Sequence, residues 1–461
     1  MQEKITKNAD GTLRSLSNRH VQMIAIGGTI GTGLFLGSGS TISKTGPSVM
    51  LVYLVLGCFF FLMMRAIGEM FYADPSQHTF VSFISKYLGP TAGYFTGWSY
   101  WLGLLFASMA ELTAIATYFA FWFPHIPSWI VEVAFLVVLA GINLIAAKLF
   151  GEAEFWFAMI KIVAIVALIV TGIIMVLAHT PTPLGHASIS NITNHFTLFP
   201  HGSFNFISAF PMIFFAFQGI EFVSITLGES KNPHKVVKKA VNETLWRIMI
   251  FYVGALAVIM AVIPWTSITA DKSPFVQVFT LAGLPAAAAI INFVVLTSAA
   301  SSLNSIIFSA GRHFYQLATE GRKEGFMNRH FGKVSKNGIP SAAILISAAL
   351  IFITPIMSVS NSISSVFTIV AGSSSDMYII VYLLTMVAHR KYRASNDFLS
   401  DGFKMPGYAI TSPLTILFFF VIFASLFFIP GDVVGAIGAI IWSIVFCGLL
   451  YLKERNSKEY A

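Results

Sequence analysis

The chain has 461 residues, 56% of them apolar and only 10% charged. Soluble globular chains carry about 25% charged residues, so this composition excludes that class and describes an integral membrane protein with room for about twelve spans of roughly 20 residues. The formal net charge of +8 would suggest nucleic acid in a soluble protein. Here lysine and arginine concentrate in the terminal segments and in alternate loops, the positive-inside signature of cytoplasmic segments, and no nucleic-acid partner is expected.

Residues 1–20 read as a polar cytoplasmic tail without the apolar core of a signal peptide. Span 1, about 21–41, opens with VQMIAIGGTIGTGLFL, in which Gly27, Gly28, Gly31 and Gly33 crowd a segment that should be continuous helix. Lys44 falls on the outer side. Span 2, about 48–71, ends near Arg65 and Glu69, whose i,i+4 spacing predicts a pair on one helix face. An amphipathic stretch and Gly89-Pro90 precede span 3, about 92–122, and span 4 covers about 128–147. Span 5, about 153–178, contains Lys161. The outer loop 179–205 carries His179, His186, His195 and His201 at irregular spacing that does not read as a metal site.

Span 6 begins as FPMIFFAFQGIEFVSITL over 210–227, with Gly219 beside Glu221, and a basic stretch with an expected turn at Asn232-Pro233 follows. Span 7 takes about 242–263, an outer loop holds Lys272 and an interfacial SPFVQVFTLAG, and span 8 runs about 286–317 through SAASSLNS. After a basic loop, spans 9 to 12 cover about 339–357, 362–388, 409–429 and 432–452. Cys58 and Cys447 lie in apolar segments far apart and suggest neither a disulfide nor a metal ligand.

Irregular backbone at membrane depth is tolerated only where it lines a cavity or is buried in protein. Two interrupted segments in corresponding halves of a chain point to a transporter's substrate site; close packing of small residues is the alternative. Span 1 runs inside to outside and span 6 outside to inside, so spans 1–5 and 6–10 form two units of opposite orientation. A broken helix exposes N–H groups on one side, which bind a carboxylate, and carbonyls on the other, which bind an ammonium. An α-amino acid has both, one carbon apart. The candidate contacts are Thr29, Ile30, Gly31, Thr32 and Gly33 at the first break and Phe215, Phe217, Gly219 and Ile220 at the second. Ser108 and Glu111 of span 3 and Asn304 of span 8 join them, with a hydrogen bond between helices as the other reading of both Glu111, then protonated, and Asn304.

Lys161 and Glu221 are candidates for proton coupling, because ionisable groups within spans are functional candidates by default. Glu221 has a structural alternative, bonding backbone groups that the break leaves open. Asp376, after GSSS in span 10, is expected near the cytoplasmic half and has no assigned role. No P-loop, Arg-rich helix or TVGYG filter is present. Nothing reads as an enzyme, and no cofactor or metal is implied.

Several stretches, LSNRHVQMIAIGGTIGTGLFLGSG at 16–39, GPTAGYFTGWSYW at 89–101, ELTAIATYFAFWFP at 111–124, FGEAEFWFAMIKIVAIVALI at 150–169, FQGIEFVSIT at 217–226 and SPFVQVFTLAGLPAAAAIINFVVLTSAASSLNS at 273–305, span nearly the whole chain. In their order they resemble the bacterial amino acid transporter branch of the amino acid–polyamine–organocation superfamily. The resemblance implies an all-α membrane protein with the leucine-transporter fold: twelve transmembrane helices, a five-plus-five inverted repeat with helices 1 and 6 broken, and two further helices. Repeat one would take about 21–178 and repeat two about 206–388 of a transport core at 21–388. Residues 389–452 would hold a cytoplasmic loop and the last two helices, and 453–461 a cytoplasmic tail.

By the same resemblance Thr29 to Gly33 bind the carboxylate and Phe215 to Ile220 the amine and side chain. Lys161 matches a lysine that, in proton-coupled relatives, stands where sodium-coupled ones hold an ion. The nearest likeness is to permeases for serine, alanine and glycine, including D-isomers. That implies H⁺-coupled import of small neutral amino acids across a bacterial plasma membrane. Ile306 stands where the family often has glycine and would reshape the pocket wall. A permease or exchanger for another class, such as aromatic amino acids, and a non-transporting amino-acid sensor remain the alternatives.

Overall fold

The computed structural model describes residues 29–77, 79–145, 150–194, 196–221, 233–320, 325–335, 339–429 and 432–459. The predicted tail at 1–20, Gly27 and Gly28, His195, Asn232 and the second broken stretch beyond Glu221 lie outside the described residues. Nine helices among those described are long and apolar enough to cross a membrane, and Ser128–Leu144 and Gly202–Phe217 are shorter apolar segments.

The first interrupted stretch forms α1 (Thr32–Phe35) and α2 (Gly37–Thr45), joined at Leu36. A 3-10 turn at Gly46–Ser48 leads to α3 (Val49–Ala73), the amphipathic α4 (Phe80–Leu88) and α5 (Pro90–Phe119). Gly89, at φ +97°, ends α4, and Pro90 opens α5. Glycine reaches the positive φ of a helix C-terminus and proline fits a first helical position whose N–H has no partner. Next come α6 (Ser128–Ile145) and α7 (Phe150–Leu177). The predicted loop at 179–205 contains an antiparallel hairpin of β1 (Pro181–Thr182) and β2 (Gly185–His186), then α8 (Ser190–Thr193) and α9 (Gly202–Ile207). The second interrupted stretch supplies α10 (Phe210–Phe217).

The remaining helices are α11 (Pro233–Val262), α12 (Pro274–Leu281), α13 (Pro285–Glu320), α14 (Phe326–Phe331), α15 (Ser341–Ile351), α16 (Ile353–Ser360), α17 (Ile363–Arg393), α18 (Tyr408–Leu426) and α19 (Val433–Glu459). Two differ from expectation. The helix predicted from 242 starts at Pro233, because its polar, basic part continues the same helix beyond the apolar segment. Predicted span 9 is two helices meeting at Phe352. Pro355 lies in the first turn of the second, where its missing N–H would otherwise have continued the first.

The centre is α5, packed between α13 and α17 through glycines. A Cβ at Gly97 would lie 2.6 Å from Leu317, and one at Gly103 would lie 2.7 Å from the Tyr378 ring. Small residues permit this backbone approach where no hydrophobic force favours helix association.

At the end of α3 the expected Arg65–Glu69 pair is replaced by longer-range bonds. Arg65 donates to Asn242 Oδ1 at 3.0 Å and to the Lys404 carbonyl. Glu69 Oε2 accepts from Arg393 Nη2 at 2.8 Å and from the Met405 N–H at 2.7 Å, with His389 Nε2 at 3.1 Å. The i,i+4 geometry permitted the local pair; the burial of Glu69 at 1% exposure among α17 and the following loop decided against it. Nearby, Lys86 of α4 ties Asp74 at 3.1 Å to Asp397 at 3.0 Å. Partial burial opposes the Asp74 carboxylate, but hydrogen bonds from Ser76, Gln77 and Lys86 outweigh it and hold its pKa down to about 2. This depressed value stabilises the fold above the ordinary aspartate range, and the stabilisation is lost as pH falls from about 4 towards 2.

Removing the Glu69 carboxylate leaves Arg393 and the Met405 N–H without their buried acceptor. Loss of one partner from a buried pair typically costs about 3–5 kcal/mol. Glu69→Ala is therefore expected to lower the thermal unfolding temperature of the purified protein strongly; an unchanged temperature would refute the anchoring role of this cluster.

Candidate functional site

The two interruptions meet in the middle of the fold. Ile30 and Gly31 leave the helical path, with Gly31 extended at φ −131° and ψ −159° immediately before α1. This frees the Thr32 N–H, which donates to Glu111 Oε1 of α5 at 3.4 Å. Gly31 must be small, since a Cβ there would lie 2.7 Å from that same oxygen. Gly33 must be small for another reason: its Cβ would lie 2.5 Å from the Ala216 Cα of α10. The two broken segments thus touch backbone to backbone.

The second interruption follows Phe217. Gln218 is extended and Gly219 sits at φ +90°, a region that disfavours residues with a Cβ. The Gly219 N–H donates to Glu221 Oε2 at 3.0 Å. The Tyr382 hydroxyl donates to the same oxygen at 2.7 Å, and the Tyr100 hydroxyl to Oε1 at 3.3 Å. Glu221 is fully buried, and these donors replace the water that its carboxyl has lost. The Tyr252 hydroxyl of α11 joins the breaks, lying 2.9 Å from the Thr29 carbonyl and 2.8 Å from the Ala216 carbonyl. Its single proton serves one carbonyl at a time.

Between the breaks lies a cavity of about 30 Å³, room for roughly a water molecule or two. Of the residues singled out from sequence, Thr29, Gly31, Gly33, Glu111, Phe215 and Gly219 line it. Ile306, flagged as a departure from the family pattern, lines it as well, together with Ala107, Gln218 and Tyr378, which sequence reasoning did not single out. Gln218 lay within the stretch assigned to substrate, and its neighbours make it rigid: Ser374 donates to its Oε1 at 2.8 Å and its Nε2 donates to Ser375 at 3.3 Å. Nothing in sequence could aim Ala107 or Tyr378 at the cavity, since both sit on long helices with several buried faces.

The other candidates stand around the cavity. Ile30 and Ile220 are buried in the core behind it. Thr32 contributes its backbone N–H to Glu111. Ser108 donates to the carbonyl one turn back, Leu104, at 2.9 Å. Phe217 packs against Phe60 and Tyr252, with ring centroids 5.0 and 5.5 Å away. Asn304 accepts from Asn143 of α6 at 2.8 Å, the interhelical bond that was its alternative reading. Lys161 is buried on α7 and donates to Ser302 of α13 at 3.2 Å. Ser302 is in turn 3.6 Å from the position a Gly31 Cβ would take, so Lys161 reaches the first break through one hydroxyl. Asp376 lies in the half of α17 away from Arg390 and Arg393, beside the first turn of α19.

The amino acid permease family model matches residues 20–455, nearly the full chain. This chain belongs to the amino acid permease family. It is 48% identical over 452 residues to a serine permease of Lactococcus lactis, covering 96% of this chain and 98% of the relative. A DL-alanine permease of the same organism is 48% identical over 446 residues, 97% of this chain and 96% of the relative. A D-serine/D-alanine/glycine transporter of Escherichia coli is 45% identical over 397 residues, 85% of this chain and 84% of the relative. The protein is accordingly a multi-pass amino acid permease and not an enzyme.

The Gly33–Ala216 contact gives a direct test. Overpacking such a contact costs about 1–3 kcal/mol, here spent on separating α1 from α10. Gly33→Ala is expected to insert in the membrane normally while its uptake rate falls at least about tenfold. Wild-type uptake by this variant would mean that the two breaks need not touch.

Proposed function

We propose that the permease imports small neutral amino acids, serine, alanine and glycine with their D-isomers, coupled to proton entry across a bacterial plasma membrane. The observation that carries this reading is the small cavity held between two interrupted helices. The N–H released at Thr32 suits the substrate carboxylate, and the Thr29 and Ala216 carbonyls beside the breaks suit its ammonium. Glu111 holds the Thr32 N–H, so a bound carboxylate takes that donor from it. Phe215, Ile306 and Tyr378 leave little room for a side chain, which favours small substrates over aromatic ones, and the names of the relatives agree with this size. Ile30, Thr32, Ser108, Phe217, Ile220 and Asn304 support the walls from behind.

Lys161 is the coupling group in this reading. A buried amine joined to the first break through Ser302 can link its own protonation to the position of α1. Glu221 then serves as the anchor of the second break. The architecture we infer has twelve transmembrane helices, with two inverted five-helix repeats over about 21–178 and 206–388 and two more helices at 389–452. Alternating access moves the broken helices against the rest. Both termini are cytoplasmic, as the loop charges suggest.

Uptake into proteoliposomes with an imposed pH gradient tests coupling. Wild type should accumulate labelled serine or alanine, and Lys161→Ala should lose accumulation while retaining exchange. Unchanged accumulation by the variant removes Lys161 from the mechanism, and competition by aromatic amino acids alone replaces the substrate class.

Ile306 tests the size argument separately. Ile306→Ala opens the wall by three carbon atoms and is expected to shift competition towards larger neutral side chains by about 10-fold or more, the range for one or two methylenes in an apolar pocket. An unaltered competition series would show that Ile306 does not set size.

A further inference from the structure

The face of α17 away from the cavity carries a second cluster. Phe367, Ser374 and Tyr378 fall on one side of this helix: Phe367 packs edge-on against Phe215, Ser374 holds Gln218, and Tyr378 lines the cavity. Gly372 and Asp376, one turn apart, fall on the other side and meet the beginning of α19. The packing is reciprocal. A Cβ at Gly372 would lie 2.7 Å from Asp432 Oδ1, and a Cβ at Gly435 would lie 2.4 Å from Asp376 Oδ2. Each aspartate is therefore seated on a glycine of the opposite element, Asp432 just before α19 on Gly372 and Asp376 on Gly435.

Asp376 is fully buried, and among the described residues neither of its oxygens has a hydrogen-bond partner. A charged carboxylate in that position bears an uncompensated desolvation cost. The charged group acting on Asp376 is Asp432, of like sign, and the one acting on Asp432 is Lys44 at the end of α2. Lys44 itself bonds the Ser208 carbonyl at 3.4 Å. On the cavity side of α17, Glu221 and Tyr100 are engaged with Tyr382 and the Gly219 N–H and turn away from this interface.

We propose that Asp376 and Asp432 form a proton-binding site, separate from the amino-acid cavity, that controls how closely α17 seats on α19 and thereby the position of the α17 wall of the cavity. A proton bound by either carboxyl removes the like-charge repulsion across the two glycine contacts and spares Asp376 the cost of a buried, unpartnered charge. Loss of the proton drives the helices apart, and α17 carries Phe367, Ser374 and Tyr378 with it. Lys44 joins the pair to α2, which continues from the first break, so both walls feel its charge. The site acts on exchange as much as on net uptake, and it stands whether or not Lys161 couples transport to protons.

The test is infrared difference spectroscopy of the full-length protein in lipid, between acid and alkaline buffer, without substrate. Wild type should show the carbonyl stretch of a protonated carboxyl that shifts when aspartate is labelled with carbon-13 at its side-chain carboxyl. The band should be lost or displaced in Asp376→Asn and in Asp432→Asn. The aspartate-labelled wild type keeps the proposal testable if either variant fails to fold. In proteoliposomes without a pH gradient, Asp376→Asn should lose the pH dependence of exchange seen in wild type. Absence of an aspartate band in the wild type, its persistence unchanged in both variants, or its suppression by sodium at constant pH would overturn the proposal.

Discussion

Inside an apolar slab, every backbone group released from a helix must find a partner in the protein. The permease releases such groups twice, at Ile30–Gly31 and at Gln218–Gly219, and much of its buried polar chemistry follows from that need. Glu111 takes the Thr32 N–H, Glu221 takes the Gly219 N–H, and Tyr252 stands between the Thr29 and Ala216 carbonyls. The side chains that answer the breaks come from α5, α11 and the second interrupted stretch itself, and Tyr100 of α5 and Tyr382 of α17 hold Glu221 in place. A small cavity remains where two backbones meet, lined largely by what glycine leaves open.

The glycines and the acids act together. Gly31 and Gly33 bring the first broken segment within reach of Glu111 and Ala216; any Cβ there would push both away. Gly219 adopts a positive φ so that its N–H turns back to Glu221. Buried carboxyl groups elsewhere follow a similar logic but with different helpers. Glu69 is surrounded by an arginine, a histidine and a backbone N–H, which makes it an anchor. Asp376 has glycine and another aspartate for neighbours, which makes it responsive to protons. The difference between a structural and a titrating acid is thus read from its partners rather than from its depth.

Sequence pattern exposed the membrane class, the two breaks and several of the residues that line the cavity, because glycine density and isolated charges stand out against an apolar background. It placed Arg65 with Glu69 by helical spacing, and tertiary burial gave Glu69 other partners. It treated predicted span 9 as one helix, although Pro355 marks the division between α15 and α16. Tyr378 and Ala107 were not legible, since a buried aromatic or alanine on a long helix with several packed faces gives no signal of which face meets a cavity. Asp376 was visible as an anomaly but not as half of a pair, because Asp432 is 56 positions away in sequence and meets it only through the packing of α17 on α19.

By itself the sequence determined that this is a membrane-embedded helical protein of the amino acid permease family with two interrupted apolar stretches, one at Gly31 and one at Gly219. Composition, charge placement and local glycine are properties of short segments and survive without a fold. Which side chains converge was decided only by tertiary structure: Glu111 at Thr32, Lys161 through Ser302, Tyr252 between two carbonyls, Asp376 beside Gly435. Those meetings join residues tens to hundreds of positions apart, and helix periodicity fixes a residue's face without fixing what lies opposite. Opposite faces are set by close packing of whole helices, where a single glycine can decide which two backbones touch.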